Sequence, residues 1–300
     1  PGQGVRDFIA DLEYRTDNPP KDARIDNPLK VLNDGRNAAL DPRLVGLTPE
    51  PGTTRADAVA TSVASLYHLD SSRTYLTEDR SAPAELPGSL QLVFCDRGTP
   101  KPGGGWSVYQ ELKEQLIARG VPESEIRFIH DAKTDSARLK LFEDCKTGRV
   151  RVLIGSTEKM GTGMNVQTRL SALHHMDVPW RPADLEQREG RIIRQGNQNE
   201  DVSIFAYATA GTTDTVMWGK VESKARFIEE YKLGQLSNTE EVPEIDDESL
   251  ASAAAATKAA ATGDQRFVRM VELEDEVSTL TALEAAHRDT ESHARRTVVE

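Results

Sequence analysis

Long apolar runs and paired cysteines are both missing from this chain of 300 residues. No hydrophobic segment approaches the ~20 residues that a membrane-spanning helix needs, and no signal peptide opens the chain. The two cysteines, Cys95 and Cys145, lack the spacing of a zinc site or a disulfide framework, so a buried thiol is the favoured role of each. These absences predict a cytoplasmic protein with no membrane partner and no metal site of its own.

Basic charge is also scarce. Lysine and arginine number 37 against 49 aspartates and glutamates, which gives a net charge of −12. Much of the excess acid follows residue 239, and the balance argues against a globally basic nucleic-acid binder. Any binding to nucleic acid must therefore use local patches and weaken strongly as salt is raised.

Motifs that hold nucleotide phosphates and magnesium are missing as well. The sequence Gly-x-x-x-x-Gly-Lys-Ser/Thr of a phosphate-binding loop does not occur, and no Asp-Glu pair follows a buried strand. Gly219-Lys220 is followed by Val221 within a predicted helix and does not qualify. If the chain takes part in nucleotide chemistry, another segment must cradle the β and γ phosphates.

What the chain does contain is a regular alternation of apolar runs and amphipathic patterns between residues 88 and 210. It predicts an α/β fold with a parallel sheet covered by helices on both faces. The predicted strands are 90–96, 126–130, 150–156, 173–178 and 202–208, and the predicted helices between them are 108–119 and 136–146.

The flanking segments look attached to this lobe. We expect four regions in the chain: a mostly helical connector at 1–87 that packs on the lobe, the lobe with a trailing helix at 88–236, an acidic linker at 237–249, and a helical extension at 250–300. Weak helical patterns lie at 33–40 and 55–67 in the connector. The charged helical pattern at 266–296 is typical of a long helix or a coiled-coil strand, and it offers a surface for a helical partner.

The densest motif is Gln187-Arg188-Glu189-Gly190-Arg191-Ile192-Ile193-Arg194-Gln195-Gly196. On a helix, the spacing i, i+4, i+7 of Gln187, Arg191 and Arg194 predicts one shared face. Two guanidinium groups held together beside a glycine suit a polyphosphate transition state. Taken alone, the motif fits a solvated helix face equally well, with Asp184, Glu186 and Glu189 as compensating acids.

The segment before this motif favours the first interpretation. The strand at 150–156 leads into the loop 157–166, which carries Gly161-Thr162-Gly163. That glycine pair does not fit a dinucleotide-binding fingerprint, because Gly161 lies six positions after Gly155 near the strand end and the third glycine is replaced by Val166. The ordered motifs are a strand ending in Ser-Thr, a Gly-x-Gly-x-Asn loop, Asp-x-Pro-Trp-x-Pro, and Gln-x-x-Gly-Arg-x-x-Arg-Gln-Gly.

In this order the motifs resemble motifs V and VI of superfamily 2 helicases, closest to the Swi/Snf-like branch. The apolar run at 90–96 resembles motif IV in position. The resemblance implies a RecA-like second lobe that completes an ATP site formed with a first lobe of the same polypeptide. ATP and Mg²⁺ would be bound mainly by that absent first lobe, and the track would be double-stranded DNA, read with little sequence preference.

The resemblance also implies roles for individual residues, each carried over by its position in a motif. It implies that Arg191 and Arg194 are catalytic arginine fingers. The residues it places at the nucleotide are Gln187, Gly161 and Gly190. Those it places on the nucleic-acid backbone are Thr157, Thr162, Asn165 and Arg97.

Short matches in the flanks, at 27–30, 33–36 and 260–264, resemble the large DNA methylase-helicase proteins borne by phages and plasmids. We therefore expect this chain to be part of a longer ATP-dependent DNA helicase or translocase and to be inactive alone. The alternative is a non-catalytic scaffold, derived from a helicase lobe, that binds DNA or recruits partners. Trp180, in the turn before the arginine motif, fits packing or base stacking.

Overall fold

A computed structural model of the chain describes residues 1–20, 22, 24, 26–161, 164–219, 221 and 273. These residues belong to two compact units. The first consists of Pro1–Gly4 and Asn37–Thr209, and the second of Val5–Arg36 with the described residues from Ala210 onward. The first unit contains the whole sheet.

That sheet has five parallel strands in the order β2-β3-β1-β4-β5. The strands are β1 (Leu90–Phe94), β2 (Ile126–Phe128), β3 (Val152–Gly155), β4 (Leu170–His175) and β5 (Ser203–Ala206). The central strand β1 places Leu92 opposite Leu153 on one side and Leu173 on the other. The predicted parallel α/β architecture is confirmed.

The α-helices are α1 (Gln3–Asp17), α2 (Pro28–Leu40), α3 (Arg55–Leu69), α4 (Val108–Ala118), α5 (Asp135–Thr147), α6 (Thr157–Gly161) and α7 (Pro182–Glu189). Local sequence sets several of their ends. Thr54, Ser107 and Thr134 each accept a hydrogen bond from a backbone N–H of the first turn, which starts α3, α4 and α5. Gly148, at a φ of 88°, ends α5 in the left-handed conformation.

Helices cover both faces of the sheet because the strand side chains alternate between two apolar clusters. Val93 and Cys95 face a cluster formed with α3 and α4. Leu92 and Phe94 face the opposite cluster, which includes Phe142 and other residues of α5. Cys95 and Cys145 are free thiols, and burial raises the pKa of both, as the sequence predicted for buried cysteines.

Several predicted boundaries were wrong by a few residues. β4 was predicted at 173–178 but occupies 170–175. The polar Ser171 interrupts the apolar pattern, so the sequence did not mark Leu170 and Ser171 as strand residues, although both are buried. The segment after β3 was predicted as a loop, yet its first five residues form the short helix α6. The helix α1 was not predicted, and α2 begins five residues before the predicted start at Asn33.

Two adjacent histidines lie inside β4 and make different contacts, as expected for neighbours on opposite faces of a strand. His174 is buried with its Nδ1 2.8 Å from the Tyr207 hydroxyl and its Nε2 3.0 Å from Gln91 Oε1. His175 has its Nε2 3.3 Å from Glu189 Oε1. Burial lowers the pKa of His174 to about 3, so this imidazole is neutral in the folded protein.

We expect acid to destabilise the lobe through His174. Its folded pKa lies below its unfolded value, so the unfolded chain takes up the proton first as the pH falls. The stabilisation is complete above about pH 6.5 and is lost toward pH 3, at most about 1.4 kcal/mol per pH unit. The measurement is the free energy of unfolding in urea at a series of pH values, for the wild type and for His174→Gln.

The control is His68→Gln, which makes the same exchange at an exposed position outside the core. Burial also lowers the pKa of His175 and His130, so the difference between wild type and His174→Gln is the quantity that reports on His174. Equal slopes for the two proteins between pH 4 and 6 would contradict the assignment.

The second unit has its own small apolar cluster of Val5, Ile9, Leu12 and Val31. Beside it, Arg15 forms ion pairs with Asp26 at 2.7 Å and with Asp34 at 2.8 Å. Residues 213–219 are helical, which is the first part of the helix predicted at 213–233. Among the described residues, no helix is both long and apolar enough to cross a membrane.

The remaining predictions for this end of the chain fall on residues that the structure does not describe. They are the end of the trailing helix, the acidic linker 237–249 and, apart from Leu273, the extension 250–300 with its helix at 266–296. The predicted domain boundaries stay predictions.

Candidate functional site

Polar side chains collect at the edge of the sheet where β1, β3 and β4 end. Asp96 follows β1, Thr157 follows β3 and begins α6, and Asp177 follows β4. Because the strands are parallel, their carboxyl ends meet at one edge, which is where open α/β sheets bind their ligands. The helix α7 brings Arg188 to the same place.

Arg188 is fully buried and its guanidinium group joins the three strand ends. Its Nη2 donates to Asp96 Oδ2 at 2.7 Å and to Asp177 Oδ1 at 3.0 Å, its Nη1 donates to the Asp177 carbonyl at 3.0 Å, and its Nε donates to Thr157 Oγ1 at 2.7 Å. The guanidinium also lies 5.4 Å from the centre of the Phe94 ring. We call Asp96, Thr157, Asp177 and Arg188 the strand-end network.

The carboxylates of this network also bind the backbone. Asp96 Oδ1 accepts a hydrogen bond from the Thr157 N–H at 2.6 Å, and Asp177 Oδ2 accepts from the Asp96 N–H at 2.6 Å and the Arg97 N–H at 3.1 Å. Burial alone would lower the pKa of Arg188, but Asp177 and Asp96 outweigh it and raise that pKa above the ordinary value. The network therefore holds a charged guanidinium inside the protein.

The sequence predicted that the arginine motif forms one continuous helix, but in the structure the helix ends within the motif. The helix α7 ends at Glu189, so Gln187 lies in it while Arg191 and Arg194 lie in the turns that follow. The Arg191 N–H donates to the Arg188 carbonyl, a three-residue span that tightens the helix end. A Cβ on Gly190 would come within 3.0 Å of the Glu186 carbonyl oxygen, so glycine suits this tight ending.

The turns nevertheless bring the two predicted fingers together. Arg191 Nη1 lies 3.3 Å and Arg194 Nη1 lies 3.4 Å from the same acceptor, the carbonyl oxygen of Met164. Between them Ile192 is buried in the core while Ile193 is exposed, so the segment turns its arginines toward the loop that follows α6. Partial burial and the nearby Arg194 charge lower the pKa of Arg191, which remains far above neutrality.

The other predicted site residues lie in several places. Gln187 and Gly190 are exposed beside the turns, Gly161 is the last residue of α6, and Thr162 lies outside the described residues. Asn165 is exposed, with its Nδ2 3.5 Å from Glu78 Oε1.

Two residues predicted to contact nucleic acid lie at the network instead of on an open surface. Thr157 is buried, and its hydroxyl and N–H groups both bind within the network. The Arg97 N–H binds Asp177, while its Nη1 donates to Asn37 Oδ1 at 2.8 Å. Their contacts with nucleic acid stay predictions.

Sequence reasoning missed Arg188, Asp96 and Asp177 as a unit. Asp177 was hidden because β4 was predicted three residues too late, which placed this residue inside a strand instead of just after one. Asp96 was taken as the end of an apolar run. With the strand ends placed correctly, two carboxylates at neighbouring carboxyl ends would have predicted a basic partner.

Comparison with known protein families supports the resemblance found in the motifs. The profile of the helicase conserved C-terminal domain matches residues 87–196. That segment begins just before β1 and ends at the glycine that closes the arginine motif, so it contains the strand-end network and both predicted fingers.

Three curated proteins align with parts of the chain. The Defense against restriction protein B of Escherichia phage P1 is 29% identical over 101 residues, which is 34% of this chain and 4% of that protein. The uncharacterized ATP-dependent helicase YqhH of Bacillus subtilis (strain 168) is 36% identical over 96 residues, 32% of this chain and 16% of that protein. The DNA annealing helicase and endonuclease ZRANB3 of Homo sapiens is 31% identical over 115 residues, which is 37% of this chain and 10% of that protein.

This chain thus spans only 4% to 16% of the length of these relatives. Among solved structures, the C-terminal part of the Fun30 ATPase domain superposes with a TM-score of 0.53 at 12% identity, covering 86% of this chain and 92% of that one. At that identity the likeness concerns the fold alone, and it agrees with a RecA-like lobe. Residues 87–196 of this chain therefore match the helicase conserved C-terminal domain, and relatives that align with parts of the chain are helicases.

Proposed function

We propose that this chain supplies the second motor lobe of an ATP-dependent DNA translocase, with Arg191 and Arg194 as its arginine fingers. The observation that carries the proposal is the meeting of these two guanidinium groups on the Met164 carbonyl. At 3.3 and 3.4 Å both bonds are longer than the usual 2.9 to 3.0 Å. Their neutral acceptor is easily exchanged for the charged oxygens of a nucleotide.

The fingers act on charge that develops during hydrolysis. As the γ-phosphoryl group leaves ADP, negative charge spreads over its oxygens, and guanidinium groups already in place stabilise that charge without reorganising. Arginine suits this role because its planar fork donates two parallel hydrogen bonds to a phosphate. Gln187, Gly161 and Gly190 would contact the nucleotide around the fingers.

The binding of Mg²⁺ and the β and γ phosphates belongs, in this proposal, to the first lobe. In the described residues no group of three or more His, Cys, Asp and Glu side chains is placed to hold a metal ion. The carboxylates of the strand-end network already pair with Arg188, so they do not suit a metal. A complete ATP site therefore needs a partner lobe from the same polypeptide.

DNA would lie across the loop after α6 and the strand-end edge. Asn165 is exposed there, and we assign it, together with Thr162 and Arg97, to the phosphate backbone. Thr157 would join them only if its bonds to Asp96 and Arg188 opened. Backbone contacts of this kind position a duplex without reading its sequence, so we expect little sequence preference.

The names of the relatives support the choice of DNA as the substrate and of ATP as the nucleotide. One is an ATP-dependent helicase, and another is a DNA annealing helicase. The third relative is a defense protein of a phage, which agrees with the prediction that a phage or plasmid encodes this chain.

The test is ATP hydrolysis with and without duplex DNA, for a polypeptide that joins this chain to a first motor lobe and for this chain alone. We expect DNA to stimulate hydrolysis by the joined polypeptide and no hydrolysis by the chain alone. A joined polypeptide that binds ATP and DNA but does not hydrolyse ATP would contradict the proposal and favour the non-catalytic scaffold.

A further inference from the structure

A row of arginines lies at the amino ends of the strands, the edge of the sheet opposite the strand-end network. Arg127 is the middle residue of β2, Arg151 directly precedes β3, and Arg169 directly precedes β4. The sheet order sets β3 and β4 on either side of β1. Parallel strands start at one edge, so the topology gathers these cations.

A cavity of about 510 Å³ opens at this edge. Three arginines line it, Arg127, Arg149 and Arg151, against two carboxylates, Glu125 and Asp144. Its volume lies within the usual 300 to 1,000 Å³ of small-molecule sites. Glu125 already accepts a hydrogen bond from the Tyr67 hydroxyl, and Asp144 lies 3.4 Å from the exposed Arg149.

Arg151 is only 5% exposed and pairs with no carboxylate of the described residues. Its Nε donates to the Ser89 carbonyl at 3.2 Å and its Nη2 to the Tyr67 carbonyl at 2.9 Å, while the guanidinium lies 3.8 Å from the centre of the Tyr67 ring. These bonds leave Nη1 for a ligand in the cavity that Arg151 lines.

Arg169 lies directly behind the cavity wall and is fully buried. Its Nη2 donates to the Leu86 carbonyl at 2.7 Å, while its Nε and Nη1 have no hydrogen-bond partner among the described residues. A Cβ built on Gly148 would lie 1.7 Å from Nη1, so the guanidinium rests against that glycine. Leu86 and Gly148 both line the cavity.

Two buried guanidinium groups without a carboxylate are costly, because each charge has lost its water. Burial lowers the pKa of Arg169, and the Arg151 charge lowers it further, yet an arginine keeps its proton at any physiological pH. An anion in the cavity would bind Arg151 directly. Its negative charge would also stabilise the positive charge of Arg169, which lies behind Leu86 and Gly148. Several arginine forks around one small space favour phosphoryl oxygens over a single carboxylate.

We propose that this cavity is a phosphate-binding site, occupied either by a free polyphosphate such as pyrophosphate or by a backbone phosphate of nucleic acid. Neither Arg191 nor Arg194 is among the residues that line it. The inference therefore does not depend on the proposed motor activity.

The test uses this 300-residue chain and pyrophosphate as the probe, at constant ionic strength kept with sodium chloride. Calorimetric titration should detect binding, and Arg149→Glu should weaken it at least tenfold. Arg149 is exposed, so its replacement spares the core. The matched control is the exposed Lys140→Glu on α5, which makes the same change of charge outside the cavity and should leave binding within twofold.

A second variant separates binding from a purely structural role of the buried arginine. Arg169→Met should reduce the rise of the urea midpoint that pyrophosphate produces in the wild type. If Arg169 only fastens Leu86 to the sheet, the variant lowers the midpoint equally at every pyrophosphate concentration, and the proposal fails. Should Arg169→Met not fold, the calorimetry of Arg149→Glu decides.

A short DNA duplex identifies the source of the phosphate once pyrophosphate binding is established. If Arg149→Glu weakens duplex binding and pyrophosphate competes with the duplex, the site takes backbone phosphates. If duplex binding does not respond to either, the site takes free polyphosphate. The absence of pyrophosphate binding to the wild type, or equal losses for Arg149→Glu and Lys140→Glu, would overturn the proposal.

Discussion

Replacing Arg194 by lysine, in a polypeptide that joins this chain to a first motor lobe, is expected to slow DNA-stimulated ATP hydrolysis by about 10³- to 10⁵-fold. Lysine keeps the charge but loses the planar fork, so one ammonium group cannot donate two parallel hydrogen bonds to the γ-phosphoryl oxygens. Arg191→Lys should lower the rate by a similar factor, because both guanidinium groups reach the same acceptor.

The loss should appear in kcat and leave KM for ATP nearly unchanged, since the fingers act on charge that exists only in the transition state. Steady-state kinetics at saturating DNA measures both constants. Arg24→Lys is the matched control because it makes the same exchange on an exposed arginine outside both proposed sites. A rise in KM with kcat preserved would show that the arginines only bind ATP, and full activity of Arg194→Lys would end the finger assignment.

The largest expected effect on stability comes from Arg188→Met. The substitution removes the cation of the strand-end network and leaves the carboxylates of Asp96 and Asp177 facing each other, with Asp177 only 4% exposed. Breaking a buried ion pair by removing one partner costs about 3 to 5 kcal/mol. Asp96 is partly exposed, so water compensates some of its charge and the lower part of that range applies. Urea unfolding of this chain measures the change.

An exposed ion pair gives the comparison. Arg149→Met removes the partner of Asp144 at a side chain that is 59% exposed, and it should change the free energy of unfolding by less than about 0.5 kcal/mol. The double variant Arg188→Met with Asp177→Asn should recover part of the loss, because it removes a stranded charge and keeps an acceptor for the Asp96 and Arg97 N–H groups. A cost below about 1 kcal/mol for Arg188→Met would mean that the network contributes little to the stability of the lobe.

The sequence predicted the lobe well because most of its strands are short, continuous apolar runs. Leu90–Phe94 and Val152–Gly155 are buried throughout, and such runs separated by amphipathic helices admit few arrangements other than a parallel sheet. The exception was β4, which buries Ser171 and both histidines. The buried His174 is satisfied by Gln91 and Tyr207, which lie far away in sequence, so no local pattern could mark the strand.

The sequence predicted that Arg191 and Arg194 lie close together, but for an incomplete reason. They do meet, yet the predicted shared helix face is not what joins them, because α7 ends at Glu189 and tight turns carry the chain onward. Arg188 looked like one more charge on a solvated helix. Its burial depends on Asp96 and Asp177, which come from two different strands, and a sequence pattern contains no information about that meeting.

The strand order has a consequence for how the lobe forms during synthesis. Gln91 in the central strand pairs with Val152, and Leu90 pairs with Leu170, so neither neighbour exists when β1 leaves the ribosome. Distant pairings require long loops to close before any contact rewards them, which makes folding slow. Until β4 has been made, an edge of the largely apolar strand β1 stays unpaired and open to other chains, and crowded expression should favour aggregation. Slower synthesis at lower temperature should therefore raise the yield of folded protein.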